Sequence, residues 1–145
     1  DWVRPICPAD RALPARLLTL PERGFTDSPF ASISLNSTTS LQSLSEKAGQ
    51  ALSPLRWRGN IWFDGAEAWE ENTWVGRELQ LGEARMMVKE PILRCLATTA
   101  NPDNGQRDVD TLGLLNTHFD HQDFGIYAEV IQSGRVALGD SLTVL

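Results

Sequence analysis

Cys95 is the residue of this chain best suited to do chemistry, and it directly follows Arg94 in the stretch Ala84–Asp108. A cationic neighbour favours the thiolate form of a cysteine, which is the form that binds metals and attacks electrophiles. A tight-turn sequence, Asn-Pro-Asp-Asn-Gly, follows at Asn101–Gly105. Three interpretations of Cys95 stay open at this point: a nucleophile, a metal ligand, or an inert core cysteine, because cysteine is among the most buried residue types.

A nucleophilic cysteine needs a general base, and His118 and His121 are the two histidines that could serve. As a metal ligand Cys95 has no second cysteine at zinc spacing, so it suits a metal whose other ligands come from a cofactor. The pair His118 and His121 lacks a third strong ligand, and we interpret it as part of a solvated loop. Asp103–Gly105 lacks the spaced carboxylates of a calcium loop and is interpreted as a turn.

A second polar cluster is predicted in the stretch Arg56–Asp64. Its alternation predicts a strand with Arg56, Arg58 and Asn60 on one face. Arginine forks match the geometry of phosphate and carboxylate groups, so this face is a candidate anion-binding surface. The alternative is a solvated outer face with ordinary ion pairs. The tryptophans in and after this stretch are typical of a core or of the lining of a cleft.

The bulk composition limits the classes of function. The chain has 145 residues, of which 41% are hydrophobic and 22% charged, so we expect one globular domain with a substantial core. Its net charge of −6 argues against nucleic-acid or membrane-surface binding. Two cysteines make no disulfide framework, which predicts a reducing, cytoplasmic location. We expect no signal peptide, and the sequence contains no apolar run near the ~20 residues of a spanning helix and no nucleotide-binding or hydrolase motif.

Short strands joined by tight turns predict a mainly antiparallel, barrel-like β domain with two helices. One helix is predicted over Ser40–Ala48, ended by Gly49, and a second begins at a cap formed by Asp108 or Asp110. About seven strands are predicted, and one of them carries Cys95. They are Phe30–Leu35, Arg56–Asp64, the two strands of a hairpin from Leu79 through Val88 that turns at Gly82-Glu83, Ile92–Thr99, Gly125–Gln132, and a last strand in two pieces, Arg135–Leu138 and Leu142–Leu145. A short strand at Ala15–Leu20 is predicted in the lead-in before them.

Several short motifs occur in an order and spacing that resemble one family, the MOSC domain, named after the C-terminal part of molybdenum cofactor sulfurases. The family also includes the mitochondrial amidoxime-reducing components and bacterial relatives. The resemblance covers residues 24–145, and residues 1–23 are expected to be a lead-in from an N-terminal β domain. The motifs are Arg56–Ile61, Trp74–Leu79 with Leu81–Ala84, Arg94-Cys95 with Thr98-Thr99 and Asn101–Gly105, Phe124–Val130, and Gly139-Asp140.

The resemblance implies a compact mixed β-barrel of the pyruvate-kinase-barrel-like type that binds the molybdenum cofactor, a molybdopterin. Cys95 matches the cysteine that ligates molybdenum in the family and would be the catalytic residue. Further matches imply contacts with the pterin and its phosphate. These residues are Thr39, Ser40, Arg58, Asn60, Arg94 and Tyr127.

The implied function is that of a molybdenum-dependent oxidoreductase that reduces N-oxygenated small molecules with electrons from a separate donor protein. The alternative is a sulfur-carrier or cofactor-delivery module in which Cys95 holds a persulfide for a transfer partner, without turnover of its own. A third hypothesis is a plain β-barrel interaction domain in which Cys95 is a core cysteine.

Overall fold

The computed structural model describes residues 4–10, 12–16, 18–19, 26 and 28–145. In this part of the chain six strands form one mixed sheet that curls into a half-barrel. The strands are β1 (Ser32–Ser37), β2 (Ile61–Phe63), β3 (Glu78–Leu81), β4 (Ala84–Leu93), β5 (Asp123–Gln132) and β6 (Leu142–Val144). Their order in the sheet is β2-β1-β5-β4-β3-β6. Only β1 and β2 pair in parallel. The prediction of a mainly β, barrel-like fold is confirmed.

The described residues also form two helices and four short 3₁₀ helices. The helices are α1 (Thr38–Ala48) and α2 (Thr111–Phe119), and the 3₁₀ helices are Arg4–Ile6, Pro54–Trp57, Glu70–Trp74 and Leu96–Thr99. No helix among the described residues is long and apolar enough to cross a membrane.

Local capping explains where both helices begin. At α1, the Ser37 hydroxyl accepts a hydrogen bond from the Ser40 amide, and Gly49 ends the helix with a left-handed φ of 68°. At α2, the Asp110 carboxylate accepts a hydrogen bond from the Gly113 amide. Both predicted helices are therefore confirmed, with Asp110 rather than Asp108 as the cap.

The buried side chains form two clusters on either side of the site described below. One lies within the curve of the sheet and includes Leu35, Val88 and Ile126. The other lies beneath the two helices and includes Leu44, Trp57, Leu115 and Phe124. Trp57 stacks on Phe124 with 4.0 Å between ring centroids, so this tryptophan belongs to the core. The sequence predicted either a core or a cleft lining for the tryptophans of this stretch.

The strand predicted over Arg56–Asp64 is wrong in its first half. Ser53 caps the 3₁₀ helix Pro54–Trp57, the Ser53-Pro54 pair favours a helical start, and the chain then turns through Arg58 at φ 51°. Only Ile61–Phe63 is extended. The shared face predicted for Arg56, Arg58 and Asn60 therefore does not form.

The strand predicted over Ile92–Thr99 is also wrong beyond its beginning, because β4 ends at Leu93 and a 3₁₀ helix follows. The Thr98 and Thr99 hydroxyls donate to the carbonyls three residues earlier, Cys95 and Leu96, at 3.1 and 2.7 Å. Such local hydrogen bonds compete with strand pairing. Cys95 consequently lies in the loop between strand and 3₁₀ helix.

Two further strand predictions differ from the structure. Arg135–Leu138 forms a loop, in which the Asp140 carboxylate accepts a hydrogen bond from the Ala137 amide, and only Leu142–Val144 is extended. The predicted strand Ala15–Leu20 falls partly outside the described residues, and positions 15, 16, 18 and 19 are not in a strand.

Candidate functional site

Cys95 lies directly after β4 and occupies the cap position of the 3₁₀ helix Leu96–Thr99. The residue is exposed, and its thiol forms no disulfide. The interpretation of Cys95 as a core cysteine is therefore wrong. Its backbone carbonyl accepts hydrogen bonds from the Thr98 amide and the Thr98 hydroxyl, which fixes the loop on one side of the thiol.

Arg94, beside Cys95, turns its guanidinium inward. Nε donates to the Phe124 carbonyl, Nη1 to the Trp57 carbonyl and Nη2 to Asn36 Oδ1, each at 2.8 Å. Burial lowers the pKa of Arg94 to about 10, although Tyr127 and Cys95 act electrostatically in the opposite direction. Arg94 thus stays cationic at neutral pH, and its electrostatic partners place Cys95 and Tyr127 in one neighbourhood.

Gln122 holds the main chain of Arg94 from the other side, which the sequence had not indicated. The Gln122 side chain donates to the Arg94 carbonyl at 2.6 Å, and the Arg94 amide donates to the Gln122 carbonyl at 3.1 Å. The residue next to Cys95 is thereby fixed through both its main chain and its side chain.

The two neighbouring arginines, Arg56 and Arg58, have different environments. Arg56 is buried and pairs with the Asp108 carboxylate at 2.7 Å, and it also donates to the Thr99 carbonyl at 3.3 Å. Arg58 is exposed and, among the described residues, its guanidinium has no hydrogen-bond or ion-pair partner. Arg94, beside Cys95, donates to the carbonyl of Trp57, which directly precedes Arg58. Arg58 therefore lies on a loop that is in contact with the Cys95 segment.

Asn60 connects the same loop to β1. Its Oδ1 accepts hydrogen bonds from the Ser34 amide and hydroxyl, and its own amide donates to Ser34 Oγ, each at 2.9 Å. Ser34 pairs with Tyr127 across the sheet. The structure therefore brings Asn60 close to Tyr127, as the site prediction requires.

Thr39 and Ser40 lie in the first turn of α1, and Ser40 is fully buried. Its hydroxyl is within 2.8 Å of Glu71 Oε1 and 3.0 Å of Oε2, and it accepts a hydrogen bond from the Trp69 amide at 2.8 Å. Burial raises the pKa of Glu71, while the Ser40 hydroxyl acts to lower it. Glu71 is a buried acid that the sequence analysis missed, and the prediction for Ser40 as a ligand contact rests on the resemblance alone.

Asn36 is a second residue that sequence reasoning missed. It is fully buried, its Oδ1 accepts a hydrogen bond from Arg94, and its Nδ2 has no hydrogen-bond partner among the residues that the structure describes. A Cβ at Gly59 would overlap Nδ2, and a Cβ at Gly125 would overlap Oδ1. Both glycines are therefore required by the close approach of the Asn36 amide.

The histidines do not join the site. His121 Nδ1 accepts a hydrogen bond from the Asp123 amide at 3.2 Å, and its ring lies edge-on to Trp69. Within the described part of the chain, no hydrogen bond links Cys95 to either histidine, and no group of three potential ligands could hold a metal ion. The nucleophile interpretation of Cys95 gains no general base from this arrangement.

A cavity of about 910 Å³ opens between the two edge strands, β2 and β6. Its lining includes Asn60 and Trp62, together with the carboxylates of Asp64, Glu70 and Asp140. Neither Cys95 nor Arg58 lines it, so Asn60 is the candidate site residue that connects this cavity to the cluster around the thiol.

The chain is similar to a known family of protein domains. The MOSC domain family matches residues 22–143. The chain belongs to the MOSC domain family. Membership confirms the resemblance, and with it the association of this domain with the molybdenum cofactor.

Two relatives of this MOSC domain are mitochondrial amidoxime-reducing component 1 from Xenopus laevis and mitochondrial amidoxime reducing component 2 from Rattus norvegicus. Each is 31% identical over 120 residues, covering 74% of this chain. The alignment covers 34% and 35% of these relatives, so the chain spans about a third of their length.

Solved structures show the same fold. The YuaD protein from Bacillus subtilis has a TM-score of 0.61 at 17% identity, covering 76% of this chain and 61% of that one. YiiM from Geobacillus stearothermophilus has a TM-score of 0.55 at 17% identity, covering 78% of this chain and 53% of that one.

The residues of this MOSC domain fit a phosphorylated, metal-bearing cofactor. Cys95 presents an exposed thiol, and thiolates are the ligands that soft metals prefer. Arg58 presents an unengaged guanidinium, which suits a phosphate. The partnerless Nδ2 of Asn36 lies beneath the loop at Gly59, as a further donor at the edge of the cluster.

Proposed function

We propose that this MOSC domain binds the molybdenum cofactor through Cys95 and forms part of an oxidoreductase that reduces N-oxygenated small molecules with electrons from a separate donor protein. One observation carries the proposal. Cys95 presents an exposed thiol, and the neighbouring residue, Arg94, donates a hydrogen bond to the Trp57 carbonyl. Trp57 directly precedes Arg58, whose guanidinium has no partner among the described residues.

The side chains would divide the binding of the cofactor. The Cys95 thiolate would ligate the metal, and Arg58 would bind the phosphate together with Thr39 at the start of α1, where main-chain amides favour anions. Asn60 and Tyr127 would contact the pterin. Asn60 retains its amide nitrogen for this purpose, because its bonds to Ser34 use Oδ1 and the main-chain amide.

Arg94 and Ser40 have a different part in this proposal. All three guanidinium nitrogens of Arg94 already donate to protein acceptors, and the Ser40 hydroxyl is engaged by Glu71 and Trp69. We assign both residues to hold the cofactor contacts in place. The fixed positive charge of Arg94 also favours an anionic thiolate at Cys95.

When bound, the cofactor would supply the two-electron redox chemistry by which an N–O bond is reduced. Reduction of an N-hydroxylated compound consumes two electrons and two protons and releases the N–H compound and water. The chain's own residues would bind and orient the cofactor and leave its substrate side open at the exposed end of the Cys95 loop. The proposal requires a reduced thiol at Cys95, so it retains the prediction of a reducing, cytoplasmic location.

The test compares two single-cysteine variants, because the chain has two cysteines and Cys7 is not one of the candidate site residues. The protein is produced from its complete natural reading frame in a host that makes the cofactor, and metal analysis and pterin fluorescence are measured. We expect molybdenum and pterin in the wild type and in Cys7→Ala, and a loss of molybdenum in Cys95→Ala. Absence of molybdenum from the wild type, or full retention by Cys95→Ala, would refute cofactor binding through Cys95.

Turnover separates the enzyme from the carrier alternative. The relatives' names make an amidoxime the first substrate to assay, with a chemical electron donor. Steady formation of the amidine supports the reductase. A molybdenum-loaded protein that produces none, and whose intact mass shows an added sulfur at Cys95, supports the carrier.

A further inference from the structure

The Arg94 side chain connects three separate elements of the fold. Its three nitrogens donate to the Phe124 carbonyl on β5, the Trp57 carbonyl on the 3₁₀ helix Pro54–Trp57, and Asn36 Oδ1 on β1. The Trp57 and Phe124 rings lie 5.6 and 5.9 Å from its central carbon. A guanidinium bonded along its edge and flanked by two aromatic rings acts as a non-covalent cross-link.

The Asn36 end of this cross-link is fixed as well. Arginine is a donor only, so the amide oxygen of Asn36 must face Arg94 and the amide nitrogen must face the other way. On that side the nitrogen lies directly against Gly59, where a Cβ would overlap it. The fully buried amide is therefore held between Arg94 and the loop at Gly59.

Both halves of the candidate site are attached to this cross-link. Cys95 is the next residue after Arg94, and Arg58 lies between Trp57, whose carbonyl Arg94 binds, and Gly59, which packs on Asn36. The Arg94 side chain therefore spans the distance from the thiol loop to the loop of the exposed cation, and the bond from Arg56 to the Thr99 carbonyl is a second link between these segments.

We propose that Arg94 and Asn36 are positioning residues that hold Cys95 and Arg58 in one fixed arrangement and do not themselves bind the cofactor. The proposal rests on the proposed function for its consequence, which is cofactor retention. The cross-link itself is a property of the cofactor-free protein and can be tested there.

Lysine cannot replace Arg94 in this role. A single ammonium nitrogen carries the charge but cannot reach acceptors on three elements at once, whereas the planar fork of arginine does. Arg94→Lys is therefore expected to keep the positive charge beside Cys95 and to lose the connection between the two loops.

Two main-chain amides report on the two loops. The Asn60 amide donates to Ser34 Oγ, and the Arg94 amide donates to the Gln122 carbonyl. Amide hydrogen exchange is measured by NMR on the cofactor-free protein. In Arg94→Lys we expect exchange to be at least about tenfold faster at both amides, because each lost hydrogen bond to a charged group lowers local stability. Asn36→Ala, which removes one of the three acceptors, is expected to speed both up by a smaller factor. Arg107→Lys is the matched control, because Arg107 binds the Leu96 carbonyl from outside the cluster, and its exchange rates at both amides should equal those of the wild type.

Molybdenum content is the second measurement, made on protein from a cofactor-making host. We expect Arg94→Lys to retain less than a tenth of the wild-type molybdenum. Val88→Ala removes buried methyl groups from the other core cluster and controls for general destabilisation. It should retain the metal although its melting temperature is similar to that of Arg94→Lys.

The outcomes separate the alternatives. Unchanged exchange at both amides with loss of molybdenum would mean that Arg94 contacts the cofactor directly, and faster exchange at only one amide would mean that no cross-link joins the loops. Either result overturns the proposal. If Arg94→Lys does not fold, Asn36→Ala decides by the same two amides. A wild type without molybdenum refutes the proposed function, while the exchange rates still decide the cross-link.

Discussion

Gly59→Ala is the substitution whose effect follows most directly from the structure. Gly59 has an ordinary backbone conformation, so the expected damage comes from contact and not from strain. The new Cβ would overlap Asn36 Nδ2 and lie 3.0 Å from Asn36 Cγ. Since non-bonded carbon and nitrogen atoms need roughly 3.5 Å, the buried amide must withdraw by about 1 Å or more.

The magnitude follows from what the withdrawal breaks. The Arg94–Asn36 bond is 2.8 Å long, and because the amide lies between Gly59 and Arg94, a displacement of about 1 Å disrupts the geometry of that bond. Loss of a bond to a charged group contributes about 1.5 to 3 kcal/mol, and overpacking a tight site adds about 1 to 3 kcal/mol. We therefore expect Gly59→Ala to lower the free energy of unfolding by about 3 to 5 kcal/mol.

The assay is urea unfolding followed by tryptophan fluorescence, run as a double-mutant cycle with Asn36→Ala. In the Asn36→Ala background the space of the amide is free, and the closest remaining neighbour of the new Cβ is Trp62 Nε1 at 3.0 Å. A shift of a few tenths of an ångström relieves that contact, so adding Gly59→Ala should lower the free energy of unfolding by less than about 1 kcal/mol. A loss below about 1 kcal/mol for Gly59→Ala alone, or full additivity in the double variant, would refute the reasoning.

Two pH-dependent predictions concern the acids. Burial raises the pKa of Glu71 above 4.5, so around that pH the folded protein binds more protons than the unfolded protein. The free energy of unfolding should therefore fall as pH rises from 4.5 through the folded-state pKa of Glu71. Urea unfolding at a series of pH values should show this fall for the wild type and not for Glu71→Gln; identical profiles would contradict it. Asp108 is the opposite case, because hydrogen bonds from Arg56 and Asn101 outweigh desolvation and lower its pKa below 3.8. Asp108→Asn should lower stability at neutral pH, with a difference from wild type that shrinks as pH falls below 3.8; a constant difference would count against the ion pair.

Features set by neighbouring residues could be predicted from the sequence. Gly49 ends α1 and Asp110 caps α2 because capping depends on a few adjacent residues, and the turn at Asn101–Gly105 has the Gly105 amide bonded to the Asn101 carbonyl. The alternation after Arg56 predicted a strand whose first half does not form, and the cause is again a few adjacent residues. Ser53-Pro54 is a local helix start that lies just before the stretch considered, and it outweighs the alternation.

The internal partners of the site could not be predicted, because they are far apart in the chain. Ser40 and Glu71 are 31 residues apart, and Arg94 and Asn36 are 58 apart. An asparagine within a strand and a glutamate in an acidic loop carry no local signal of such a role. The burial of both is what distinguishes them, and burial is a property of the fold.

The three arginines at the site show how the fold assigns roles to identical side chains. Burying a guanidinium is unfavourable unless its charge and donors are compensated. Arg56 pairs with the Asp108 carboxylate and donates to the Thr99 carbonyl, and Arg94 donates to three protein acceptors. Because both hold the segment around Trp57, the next residue, Arg58, is turned outward with its donors unused. An anion arriving there would bind Arg58 without first displacing a protein partner. Arg94, still cationic at neutral pH, would add a fixed charge beside Cys95 at no further cost in side-chain ordering.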